Sequence, residues 1–177
     1  MLALFTVGIG VGSLTCDRLS RHTLDLALVP LGAVGLTLFG LDFGLASPAQ
    51  FHASDHTPIA LVHLLSLAGT WRILVDLMLI GAFGGFYCVP LYALLQSRCV
   101  VDMRARTIAA NNIMNALFMV TGALGASVLF GAGLSIPGLF LLTAVVNAIV
   151  AAALFYAAPE FMQRLGVRMG ELTARKN

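Results

Sequence analysis

The sequence predicts an all-α, polytopic membrane protein with about five transmembrane helices, and three observations carry that prediction. Of its 177 residues, 59% are hydrophobic and only 10% are charged, where an ordinary soluble domain has roughly a quarter of its residues charged. The apolar residues fall in long runs, each close to the roughly 20 residues a helix needs to cross a hydrocarbon core. The ten Lys and Arg residues gather between and after those runs, nearly all on one side.

Lipid offers the backbone no hydrogen bonds, so a long apolar run inside it is read as a helix. Runs at residues 26–41, 73–96, 108–130 and 136–158 each suit a span. The first of these is short but clean, and the second is long, with Asp76 near its start. The opening run, 1–16, lacks about one turn of a full span. No basic segment precedes it and no small-residue cleavage site follows, so it reads as a truncated helix and not a signal peptide. The bundle is therefore expected over residues 1–158, with a basic, mildly amphipathic tail over 159–177 suited to a membrane surface or to leading into a further domain.

Basic residues set the orientation. Arg18 and Arg21 lie between the first two spans, Arg98, Arg104 and Arg106 between the third and fourth, and Arg164, Arg168, Arg175 and Lys176 after the fifth. Only Arg72 falls on the opposite side. The positive-inside rule makes the rich side cytoplasmic, so the N-terminus is expected outside and the C-terminus inside. The loop at 42–71 is then external, with Trp71 as an interfacial anchor.

Other chemistries leave little trace. Cys16, Cys88 and Cys99 have no C-x-x-C spacing and are expected to be small apolar fillers. His52 and His56 have the spacing of a helical metal pair, but Pro58 and the polar context favour an irregular loop, so no metal is expected. There is no Walker A sequence, and "GIGVG" at 8–12 lacks dinucleotide-loop spacing. None of His22, His52, His56 and His63 has an Asp five residues on, so the H-x-x-x-x-D motif of glycerolipid acyltransferases is absent. No catalytic residue, no cofactor and no nucleic-acid partner is expected within this chain.

Charge reappears at "GSLTCDRLSR", residues 12–21. There Asp17, Arg18 and Arg21 are expected in a tight cytoplasmic loop, with the small Ser13 one turn before Asp17 allowing a neighbouring helix to approach. Such a carboxylate caps a helix N-terminus or pairs with an arginine, and such arginines meet lipid phosphates or carboxylates of a partner loop. Asp102, Arg104 and Arg106 form the matching loop, and the two together are expected to make an inner gate. The plainer alternative is that these charges only set topology.

"SLTCDRLSR" resembles the G-x-x-x-D-R-x-x-R loop of the major facilitator superfamily, with Ser13 in the glycine position. "LIGAFGGFYCVPLYALLQSR" (79–98), "RARTIAANNIMNALFMV" (104–120) and "LSIPGLFLLTAVVNA" (134–148) then follow in order. Together they are similar to the C-terminal half of bacterial lysophospholipid transporters, particularly those joined to an acyltransferase. The similarity covers nearly everything except residues 42–70.

The resemblance implies a partial major-facilitator fold whose spans correspond to the eighth to twelfth of twelve helices. A seventh helix and an N-terminal transporter half would precede this piece. The implied function is alternating-access flipping of lysophospholipids, chiefly lysophosphatidylethanolamine, across the bacterial inner membrane for re-acylation. Membrane lipids are the implied partners, and a C-terminal acyltransferase domain is a further one. Two alternatives stand beside this: the membrane portion of a bifunctional acyltransferase, and a facilitator-type exporter of another small amphiphile.

The third and fourth spans hold the residues suited to transport. Gly81, Gly84 and Gly85 leave one helix face nearly bare, which lets backbones approach closely in lipid. Pro90 removes a backbone hydrogen bond and favours a kink. Bareness plus a kink suits a rocking helix and a static one alike. Tyr87 and Tyr92 straddle Pro90, either hydroxyl in reach of a cavity. Asn111 and Asn115 share a face one turn apart, with Asn112 turned away, and Asn147 lies near the middle of the fifth span. Amides in lipid either bond between helices or meet a polar headgroup. Asp76 is the acid inside a span, and is expected either to pair with Arg72 or to couple transport to a proton or sodium ion.

Overall fold

In the computed structural model, which describes residues 2–20, 26–46, 69–158 and 163, every regular element is helical. The long helices are α1 (Leu2–Ser20), α2 (Leu28–Ala46), α3 (Thr70–Arg98), α4 (Arg104–Gly131) and α5 (Ile136–Ala157). A 3-10 turn at Val101–Met103 joins α3 to α4. Four helices, α2 to α5, are long and apolar enough to cross a membrane. The first, whose last turn holds Asp17 and Arg18, is not among them. The expected five spans therefore become five helices, four of which have the length and composition of spans.

Helices α1 to α4 run past one or both ends of their apolar runs. Hydropathy marks where lipid-compatible side chains stop, whereas the backbone goes on satisfying itself into the interface. Asp17 and Arg18 thus occupy the last turn of α1 and not a loop, and α2 extends far enough to include Asp42. Arg72 likewise lies inside α3, and Arg104 and Arg106 inside α4.

Local chemistry sets the ends of the α4–α5 hairpin. Gly133 takes a left-handed φ of 92°, where a side chain is strained. Its N–H donates to the Phe130 carbonyl at 3.0 Å, and the Leu134 N–H to the Leu129 carbonyl at 3.0 Å. This pairing closes a helix C-terminus with its orphan carbonyls satisfied. Two residues after Gly133, the Ser135 hydroxyl accepts from the Gly138 N–H at 3.2 Å and caps α5. Pro137 follows in the first turn, where its missing N–H costs nothing.

The packing order across the bundle is α1, α3, α2, α5. Helices α1 and α3 run parallel, whereas α2 lies antiparallel to both α3 and α5. In lipid, apolar burial gives little drive for helix association, so close backbone contact and interhelical polar bonds decide it. The α1–α3 seam is made by glycines on both sides. A Cβ on Gly12 would stand 2.2 Å from the Ala82 carbonyl oxygen, and one on Gly81 2.5 Å from that of Phe5. Gly8 and Gly85 meet the facing backbones in the same way. Ser13 is part of this seam, its backbone N 2.8 Å from where a Gly85 Cβ would lie. Gly84 is not, having only Leu36 of α2 at 4.0 Å.

Side-chain clusters hold the other seams. Leu26 and Val29 pack with Tyr87, Leu91, Leu94 and Phe155 at one end. Phe43, Ile73 and Leu77 pack with Phe5, Ile80 and Phe140 at the other. The fourth helix stands apart. None of its residues is buried, and its packing against α5 is slight.

Candidate functional site

The polar groups fall in three places along the bundle. The first joins α3 to the outlying α4. Tyr92 lies two residues beyond Pro90, through which α3 continues unbroken. Pro90 has no N–H for the Phe86 carbonyl, so the backbone is locally short of one bond at this point. The Tyr92 hydroxyl accepts from the Asn111 amide at 3.1 Å and from the Asn115 amide at 2.6 Å. Asn111 and Asn115 sit one turn apart on α4, so one hydroxyl spans both. Each amide keeps its carbonyl oxygen and a second N–H, and the hydroxyl keeps its proton to donate. Tyr92 is 40% exposed, and Asn115 is exposed as well. The result is an accessible group of donors and acceptors on otherwise apolar helix surfaces.

The second place is the α2–α5 seam. The Asn147 amide donates to the Ala33 carbonyl at 3.1 Å and to the Thr37 hydroxyl at 2.9 Å. Both N–H groups of this amide are thus occupied between helices. Tyr87, the other tyrosine beside Pro90, packs half-buried against Leu26 and Val29.

The third place is the far end of α2 and α3. The Arg72 Nε donates to Asp42 Oδ2 at 3.0 Å, and its Nη2 donates to Asp42 Oδ1, a two-pronged grip. Arg72 therefore pairs with Asp42, thirty positions earlier, and not with Asp76 one turn on, as the sequence spacing suggests. Asp76 is 3% exposed, and its Oδ2 has no hydrogen-bond partner. It lies one turn from Arg72 on α3, beside Ile73 and Leu77, which pack with Phe43 next to Asp42.

At the opposite end, Asp17 and Arg18 are exposed in the last turn of α1. Asp102 is exposed in the 3-10 turn, and Arg104 and Arg106 in the first turns of α4. All five share one end of the bundle, but no extended packing joins α1 to α4. Arg21 lies outside the described residues, as do His52, His56 and His63. Among the described residues no cluster of His, Cys, Asp or Glu could hold a metal ion.

Gly8 and Gly12 escaped the sequence reading, although their four-residue spacing matches that of Gly81 and Gly85. Thr37 and Asp42 escaped it because their partners lie on other helices. Comparison of the chain with protein-family models, with curated proteins and with solved structures finds no significant match to any of them.

Proposed function

We propose that this chain is the C-terminal portion of a facilitator-type membrane transporter, and that it moves a lysophospholipid across the bacterial inner membrane by alternating access. The observation that carries this reading is the Tyr92–Asn111–Asn115 group. Polar side chains on membrane helices are costly unless they bond to one another or face a wet or polar path. Here they bond in a way that leaves spare donors and acceptors, on a helix whose remaining surface is unburied. A phosphate or ethanolamine headgroup needs such a mixed set, and acyl chains need the apolar surfaces around it.

The other parts fit a moving half-bundle. The glycine seam lets α1 and α3 slide as packed backbones, and Pro90 supplies a soft point beside Tyr92. The charged end carrying Asp17, Arg18, Asp102, Arg104 and Arg106 is the inner gate in this reading. Arg21 belongs with it by position in the sequence. Membrane lipids, an N-terminal transporter half and an acyltransferase domain are the proposed partners.

The test is flipping of lysophosphatidylethanolamine by the product of the whole reading frame in proteoliposomes. Tyr92→Phe and Asn115→Ala are each expected to slow flipping by about ten-fold, the equivalent of roughly 1.4 kcal/mol. Wild-type rates in both variants would remove the group from the transport path.

A further inference from the structure

Among the described residues, the carboxyl cluster at the Arg72 end has one group too many for the partners around it. Arg72 grips both oxygens of Asp42. Asp76, one turn further along α3, is 3% exposed, yet among the described residues its Oδ2 has no donor. Ile73 and Leu77, on either side of Asp76 along α3, pack with Phe43, the neighbour of Asp42 on α2, so the two carboxyls lie at one place on the α2–α3 seam. Two bare carboxylates cannot hydrogen-bond to each other, since each is only an acceptor.

Nothing else described nearby offers a charge. On α1, residues 3–10 contain no titratable side chain, and α5 brings residues 136–144, which contain none either. Among the described residues, α2 contributes Asp42 and α3 contributes Arg72 and Asp76. With both acids ionised the cluster carries one uncompensated negative charge and one orphan acceptor.

The geometry points to an exchangeable proton-binding site formed by Asp76 and Asp42 beside Arg72. A proton on Asp76 makes that carboxyl the missing donor, aimed at Asp42, and leaves the cluster neutral. No bond other than O–H forms, and the proton comes from and returns to water at the partly exposed Asp42 side. A sodium ion is the poorer occupant, because the Arg72 guanidinium stands beside the same oxygens and repels it. Asp76 lies about four turns along α3 from Tyr92, and the inference is independent of which substrate the protein moves.

Infrared difference spectroscopy of the chain in lipid nanodiscs tests it. The wild type is expected to show the C=O stretch of a protonated carboxylic acid at neutral pH, shifted in D2O and lost in Asp76→Asn. That variant supplies its own N–H donor and should fold. Asp42→Asn, measured alongside, should move the band by changing its acceptor. Absence of a protonated-carboxyl band in the wild type overturns the proposal whether or not either variant folds. A band that persists in Asp76→Asn overturns it too, as does a melting temperature that responds to sodium at fixed pH in the wild type but not in Asp76→Asn.

Discussion

Gly12 of α1 and Ala82 of α3 touch through their backbones: a methyl group on Gly12 would lie 2.2 Å from the Ala82 carbonyl oxygen and 2.6 Å from its Cα. Backbone cannot rotate aside as a long side chain does, so the two helices must separate to admit even one carbon. The parallel α1–α3 pair therefore depends on small residues at particular positions, and each position is open to test.

Gly12→Ala is expected to lower stability in detergent or nanodiscs by about 1–3 kcal/mol, the range for forcing extra volume into a close-packed contact. Gly10→Ala is the control, because nothing lies within 4 Å of its added carbon. Exchanging Gly for Ala in an open helix position favours the helix by up to about 1 kcal/mol. Thermal unfolding should thus move in opposite directions for two glycines two residues apart. Equal shifts would mean that the seam does not hold α1 in place.

The α2–α5 seam depends on Asn147 instead. Asn147→Leu removes the bonds to Ala33 and Thr37 and is expected to cost about 0.6–2 kcal/mol. Thr37→Val alone should cost less, since the Ala33 carbonyl still accepts. A double-mutant cycle between the two positions should give non-additive losses. Additive losses would show that the two side chains do not act together.

Arg72→Ala breaks a pair whose arginine is well exposed, with its side chain at 62%. Exposed pairs are weak and screened by salt. The drop in melting temperature for this variant is expected to be small and to shrink as salt rises. The loss in Asn147→Leu should stay constant over the same salt range. A large, salt-insensitive drop for Arg72→Ala would place that pair in a far more enclosed setting.

Much of the helical layout was legible because lipid-compatible runs leave the backbone one choice. Residues 136–158 anticipate α5 almost to its ends, since Ser135 and Pro137 mark its start. The ends of α1 and α2 were not legible, because charged residues such as Asp17 and Asp42 continue a helix after the apolar run has stopped. Pairings between distant elements were harder still. Arg72 has Asp76 one turn away in sequence and Asp42 across a helix seam, and helical spacing alone names the wrong partner. Asn111 and Asn115 were visible as one face, but the oxygen between them belongs to Tyr92, which the α3–α4 turn folds back to meet them. Asn147 carried the same signal as those two, and only the position of α2 distinguishes its role.

The central claim is that the Tyr92–Asn111–Asn115 group receives a polar headgroup. Binding of lysophosphatidylethanolamine to the nanodisc-embedded protein, measured by native mass spectrometry, addresses it most directly. The account predicts affinity about ten-fold weaker in Tyr92→Phe and in Asn115→Ala, with Asn147→Leu unchanged although it is less stable. Wild-type affinity in Tyr92→Phe and Asn115→Ala, or an equal loss in all three variants, would contradict it.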